Sequence, residues 1–304
     1  MDPLDDVLTL LETRAHLSAG LAAGGRWAVR FAAPEGVKFN AVRRGSCLLE
    51  VDGLDAPLAL AEGDCYLLPH RRPFTLRSGH GAEPVPAAPL FARAGNGVAR
   101  AGTGDDTLLV GGRFSFGPRA QDLLLDRLPP VVHLPAGTPH AGTVRWALAA
   151  IDEELTRRPM ASALVAEHLA VVMLVHVLRL HLVREPHAVS GWLAGLADPL
   201  AATALAALHR EPARAWTVAD LARTCAVSRS TLAARFKAAV GQGPLQYLTG
   251  WRIELAARRL REGDDGLAAI AHAVGYGSES ALSVAFKRTL GVSPSDYRRR
   301  PPAA

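Results

Sequence analysis

Between residues 26 and 77 apolar and polar positions alternate in the manner of half-buried strands. Trp27, Val29 and Phe31 form one set, Cys47, Leu49 and Val51 another, and Tyr66-Leu67-Leu68 a short third. Turn residues separate them at Pro34-Glu35-Gly36, Asp52-Gly53, Glu62-Gly63-Asp64 and Pro69. That spacing predicts an all-β sandwich or barrel. A further strand is expected over Thr107 to Phe116, after a Gly-, Ala- and Pro-rich stretch from Gly79 to Gly104 that reads as a loop of low order.

Leu128-Pro129-Pro130 and Gly137-Thr138-Pro139 mark a change of period. Val144, Leu148, Ile151 and Leu155 recur at helical spacing, and Leu164 to Val183 reads as a longer helix, apolar around most of its circumference. Such a helix must be covered on several sides, by the chain's own barrel or by a second copy in an antiparallel pair. Amphipathic spacing does not separate the two. From Leu200 onward the pattern is helical. Thr217 and Asp220 have the spacing of a capping box opening a helix through Cys225, and Ser228 caps a second helix that stops at Gly241. A long helix, Leu245 to Glu262, closes on Gly263; Asp264-Asp265 opens the next, broken at Gly275; Ser278 caps the last major one, stopped by Gly291.

These helices are written twice. From Ser228 to Tyr247, eight of twenty positions recur fifty residues on: Ser228/Ser278, Ser230/Ser280, Leu232/Leu282, Phe236/Phe286, Lys237/Lys287, Gly241/Gly291, Pro244/Pro294 and Tyr247/Tyr297. A fixed period marks a duplicated supersecondary unit, here the second helix of a helix-turn-helix followed by a glycine stop and a proline turn. On a helical wheel Leu232, Phe236 and Ala239 share a core face, as do Leu282, Phe286 and Thr289 in the second copy. The opposite faces carry Ser230, Ala233, Ala234 and Lys237, and Ser280, Ser283, Val284 and Lys287, with Arg229 and Glu279 in the first turns. A helix entering the major groove N-terminus first presents these positions to base edges. Arg229 suits guanine, Glu279 suits the cytosine amino group, and Val284 suits a thymine methyl. Arg235, Lys237, Lys287, Arg288 and the tail Arg298 to Arg300 suit phosphates, which fix register without reading sequence.

Charge agrees with this. Residues 201–304 hold 15 Lys/Arg against 8 Asp/Glu, whereas residues 1–200 hold 19 against 21. The basic surplus lies in the duplicated part, as a phosphate-binding surface requires. At 304 residues two domains are the prior, and the expected division is 1–140 for the barrel, 141–208 for a helical linker and dimerisation region, and 209–304 for the DNA reader. The N-terminus lacks a cationic flank before an apolar run. The longest apolar stretch, Leu169 to Val175, is seven residues, against roughly 18 to 20 for a bilayer span. Three cysteines make no disulfide framework. A cytoplasmic protein without a membrane partner is expected.

Trp216 to Tyr297 resembles the DNA-binding domain of AraC/XylS-type transcription regulators. Trp251-Arg252-Ile253, Ala256-Ala257 and Leu260 are similar to that family's connecting helix. Ile270-Ala271, Val274-Gly275-Tyr276, Ser278, Phe286-Lys287, Gly291, Ser293-Pro294 and Tyr297 are similar to its second helix-turn-helix. The resemblance implies that one chain sets both recognition helices into successive major-groove segments of double-stranded DNA, about one helical turn apart. Gly63-Asp64-Cys65-Tyr66-Leu67-Leu68-Pro69 resembles a conserved strand-turn of cupin barrels. Asn40 and Val42 stand where that family's first-motif histidines would be, and Phe74 where the second-motif histidine would be. No metal or other cofactor is therefore expected, and the barrel reads as a sensor or oligomerisation module and not as an enzyme.

The fold class so expected is α+β: a cupin-like β-barrel, a helical linker and an all-α double helix-turn-helix domain. The function expected is that of a sequence-specific transcription regulator acting as a homodimer, with RNA polymerase as a further partner. A small-molecule effector is expected in the barrel, with Trp27, Asn40, Arg71 and Phe74 as its candidate contacts. Cys47 and Cys65 offer a redox-sensing alternative, which requires exposed thiols of low pKa. A DNA-tethered cupin enzyme is the third reading. Arg43, Arg44, Arg71 and Arg72 are candidates to gather an anion, though charge pairs at turns are usually solvated. His70, His80, His133 and His140 are too scattered to suggest a metal site, and His168, His176 and His181 do not keep a common i, i+4 spacing.

Overall fold

The computed structural model describes residues 2–79, 81–94, 97–117 and 119–299. In chain order its strands are β1 (Arg14–Gly24), β2 (Ala28–Phe31), β3 (Val37–Arg44), β4 (Ser46–Val51), β5 (Leu58–Ala61), β6 (Cys65–Leu68), β7 (Phe74–Arg77), β8 (Val85–Pro86), β9 (Val98–Gly102), β10 (Thr107–Ser115) and β11 (Val132–Leu134). The helices are α1 (Pro3–Leu10), α2 (Ala87–Ala92), α3 (Ala120–Leu123), α4 (Gly142–Arg157), α5 (Ser162–Arg184), α6 (Gly191–Gly195), α7 (Pro199–Arg210), α8 (Val218–Thr224), α9 (Arg229–Val240), α10 (Pro244–Glu262), α11 (Leu267–Ala273), α12 (Glu279–Leu290) and α13 (Pro294–Arg299). They form two compact units interleaved along the chain: Thr13–Phe116 with Leu128–Glu185, and Met1–Glu12 with Gly117–Arg127 and Pro186–Ala304.

The first unit is built on two sheets, ordered β11-β6-β3-β10-β1-β9 and β5-β4-β7-β2-β8. Side chains from both sheets meet in one core that includes Leu21, Val29, Val42, Leu49, Tyr66, Phe74, Leu76 and Leu109. Each large apolar side chain so buried is worth about 1.5 to 3 kcal/mol. The strands expected around Trp27, Cys47, Tyr66 and Thr107 correspond to β2, β4, β6 and β10. The stretch from Gly79 to Gly104 departs from the expected loop, for it contains β8, α2 and β9. β9 pairs in parallel with β1, from Gly20↔Val98 to Gly24↔Gly102. Small residues are needed there: a Cβ on Gly24 would come within 2.5 Å of the Thr103 carbonyl oxygen. Low side-chain content marks a close backbone approach here. β1 itself lacks a clean period because its register with β10 shifts between Ser18 and Leu21.

α5 is long and apolar enough to cross a bilayer by length and composition. One face, Ala166, Ala170, Met173, Leu174, Val177, Leu178 and His181, is buried against α4, β1 and β11. Burial against its own unit is thus realised on one side. Val165, Val172 and Val183 stay exposed on the opposite face.

In the second unit α8-α9 and α11-α12 are the two helix-turn-helix motifs, joined by α10. The second has a core of Ile253, Ala256, Leu260, Ile270, Leu282, Phe286 and Tyr297. Leu232, Phe236 and Val240 are the buried stripe of α9; Leu282, Ala285 and Phe286 are that of α12. Ala239 is only half-buried and Thr289 is exposed, so both leave the core face assigned by the wheel. The buried stripes are centred on Phe236 and Phe286, and the neighbours facing the core differ between copies.

α1 is held by a buried polar chain. His209 Nδ1 lies 3.0 Å from Asp6 Oδ2 and its Nε2 lies 2.7 Å from the Tyr247 hydroxyl, while the ring stacks on Trp251 at 4.2 Å. A neutral ring satisfies both partners, its Nδ1–H donating to the carboxylate and the Tyr247 O–H donating to Nε2. Burial pushes the pKa of His209 down to about 3, against about 6.5 when unfolded. The contribution of His209 to stability is therefore complete above pH 6.5 and falls by about 1.4 kcal/mol per pH unit below it, because only the unfolded ring takes up the proton. The fall slackens where Asp6, raised above 3.8 by burial and by Asp5, binds its own proton. Urea denaturation at pH 7 and pH 5 checks the slope; equal stabilities would show that His209 does not make this contribution.

Candidate nucleic-acid interface

Both recognition helices start and stop by the same local chemistry. Ser228 Oγ accepts from the Thr231 amide at 3.1 Å, and Ser278 Oγ accepts from the Ala281 amide at 3.2 Å. Gly241 and Gly291 end them at φ +83° and +74°, in the left-handed region where glycine carries no Cβ penalty. The preceding turns also match: Val227 N–H donates to the Ala222 carbonyl at 3.0 Å and Tyr276 N–H to that of Ala271 at 2.8 Å. The turn bonds are 49 residues apart and the caps 50, so the second turn holds one extra residue before its cap.

With Leu232 and Phe236, and Leu282 and Phe286, pinned in the core, the opposite faces are open. Arg229, Ser230, Ala233, Ala234 and Lys237 are exposed on α9, and Glu279, Ser280, Lys287 and Arg288 on α12, where Ser283 is half-buried. Val284 is 68% exposed, an apolar side chain left in water on a face otherwise polar. A shallow concavity beside it is lined by Tyr276, Ser280, Ala281 and Arg288. The two sets of candidate base-reading side chains are each brought to one helix face.

Two candidate phosphate contacts are engaged within the protein. Arg235 Nη2 meets Asp198 Oδ2 at 2.6 Å, while the other oxygen of Asp198 caps α7 through the amides of Leu200 and Ala201. Arg235 therefore ties α9 to the start of α7 and is not a free cation. Arg298 donates to the Asp265 carbonyl. Arg300 lies outside the described residues. Asp198 was legible in principle, since an Asp-Pro pair opening an apolar helical run is an N-cap with proline at N1.

In the β unit the four candidate effector contacts divide between the packed core and the surface. Trp27 and Phe74 belong to the packed core, Phe74 stacked on Phe31 at 4.6 Å. Asn40 donates to the Tyr66 hydroxyl at 2.5 Å, and Arg71 is exposed on the surface. Cys47 and Cys65 are buried, and burial pushes both thiols up to about 12. That is the reverse of a sensor thiol, which needs exposure and a low pKa. Arg43 pairs with Asp152 at 3.1 Å and Arg44 with Asp105 at 2.9 Å, so the arginines are used singly. His70 Nε2 faces the Leu128 carbonyl, and His133 Nε2 lies 3.1 Å from Asp64, which also accepts from the amides of Ala61 and Ala136. His80 lies outside the described residues. Among the described residues no three His, Cys, Asp or Glu side chains gather as a metal site.

A family model described as Cupin matches residues 2–183, and one described as Helix-turn-helix domain matches residues 221–300. The chain is 75% identical over 301 residues, 99% of both chains, to a putative AraC-like transcription regulator of Streptomyces lividans. It is 72% identical, again over 99% of both, to one of Streptomyces antibioticus. Among solved structures the DNA-binding domain of AdpA in complex with a target DNA is 37% identical, covering 33% of this chain and 90% of that one at a TM-score of 0.31.

Proposed function

This chain belongs to the AraC-like DNA-binding transcription regulators, and we propose that it reads a two-part operator with α9 and α12. The observation that carries this is the pair of identically capped helices, each with its Leu and Phe in the core and its polar face open. Arg229 and Glu279 then read bases at the helix N-termini, Val284 presses on a thymine methyl, and Lys237, Lys287 and Arg288 hold phosphates. The unequal residues at the two faces make the half-sites unequal.

The β unit acts in this reading as a sensor module and not as a catalyst, because Asn40 is taken by Tyr66 and Phe74 by Phe31. A small-molecule effector would alter how the DNA-binding unit is presented. The exposed Val165, Val172 and Val183 on α5 support homodimerisation through that helix, with the protein acting in the cytoplasm and on RNA polymerase.

Two substitutions test the division of roles. Lys237→Ala should weaken binding to all duplexes and reduce the slope of log K against log salt by about one unit. Arg229→Ala should relax one base position at a cost of about 1 to 3 kcal/mol against the preferred base. Uniform loss from both, measured by salt-series titration on a panel of single-base variants, would refute the assignment.

A further inference from the structure

We propose that Arg252 sets the separation and angle of the two recognition helices, and so makes binding selective for one half-site spacing; this rests on the two-module reading above. α10 serves both modules. Its first half is packed with α9, the Tyr247 ring meeting Phe236 edge-on at 6.2 Å, and Ile253, Ala256 and Leu260 of its second half belong to the second core. A helix of this kind fixes distance along its axis. A contact that joins both modules away from the helix axis braces their mutual tilt.

Arg252 stands between those halves and supplies one. Its Nε donates to the Pro212 carbonyl and its Nη2 to the Arg214 carbonyl, both at 2.7 Å. These carbonyls belong to the loop that leads into Thr217, the N-cap of the first module. The same loop touches the turn of the second module: a Cβ on Gly275 would lie 2.6 Å from the Ala213 carbonyl oxygen and 2.7 Å from its Cα. The Arg252 guanidinium also lies 5.8 Å from the ring of Tyr276. Entry loop, connecting helix and second turn therefore meet at one planar fork. A lysine has no such fork and holds two carbonyls less rigidly. Arg252 acts here as a positioning residue, with two of its donors spent on its own chain.

Adding one base pair between half-sites displaces them by about 3.4 Å and rotates them by about 35°, which a braced pair of helices cannot follow. The test uses full-length protein and duplexes that the unaltered protein selects from random DNA, each with one base pair added or removed between half-sites, or with one half-site scrambled. The unaltered protein should lose about tenfold or more in affinity on either spacing change. Arg252→Met and Arg252→Lys should cut that penalty to about threefold or less, while binding to the single intact half-site stays within about twofold of the unaltered protein. If either variant melts cooperatively yet keeps the full penalty, or lowers affinity equally for every spacing, Arg252 is merely structural and the proposal falls. If scrambling a half-site costs nothing, the two-module reading fails, and this proposal with it.

Discussion

Arg119→Met is expected to destabilise the DNA-binding unit by about 3 kcal/mol or more, toward the range of about 3 to 5 kcal/mol for breaking a buried ion pair on one side. Glu254 on α10 is only 4% exposed. Arg119 faces it with two donors, Nε at 3.1 Å and Nη2 at 2.8 Å, while its Nη1 holds Asp122 at 2.7 Å. Removing the guanidinium leaves a carboxylate buried without that fork. A crevice of about 40 Å³ beside the pair has room for a water, which places the loss at the lower end. Glu254→Gln should cost less, since Arg119 keeps Asp122 and partial access to solvent. Replacing both residues by Met should recover much of the stability lost by Arg119→Met, because no lone charge remains. Chemical denaturation of the three variants decides this: a double variant less stable than Arg119→Met would show that the pair is not the source of the loss.

Gly275→Ala is expected to cost about 2 to 5 kcal/mol. Gly275 has φ +89°, where an L side chain costs about 1 to 2 kcal/mol. Its Cβ would also fall within 3 Å of the carbonyl oxygen, Cα and carbonyl carbon of Ala213. Those are backbone atoms, so the clash is relieved only by moving the loop, at about 1 to 3 kcal/mol more. The equivalent turn position in the first module is Ala226, exposed and at φ +54°. There the expected sign reverses, and Ala226→Gly should stabilise by up to about 1 kcal/mol. Thermal melting of the two variants tests the pair. A Gly275→Ala protein that melts with the unaltered one would show that the close approach to Ala213 is not tight.

The parts of this molecule that could be read from the chain are those determined locally. Ser228, Ser278, Gly241 and Gly291 sit within a turn of the amides and carbonyls they satisfy, so their spacing carries the helix ends. Repetition at fifty residues carried the two modules. What escaped is non-local or irregular. The bulge in β1 breaks its alternation, and β9 ends on Gly102, where a Cβ would lie 2.3 Å from the Gly24 carbonyl oxygen. Arg119 and Glu254 are 135 residues apart in sequence, and no periodicity predicts such a pair. Arg235 illustrates the same limit: its helix-wheel position suggests a free cation, and only the fold brings Asp198 to it. Trp27 and Phe74 belong to the packed core, and strand alternation assigns a side chain to a face without saying whether that face is packed or hollow.

Selection of bound sites from random-sequence duplex DNA by the whole chain shows whether α9 and α12 read DNA together. Two unequal short motifs, separated by about one helical turn and both required for binding, are the predicted result. Enrichment of a single short motif, or none, would contradict the account of α9 and α12 as two readers of one operator.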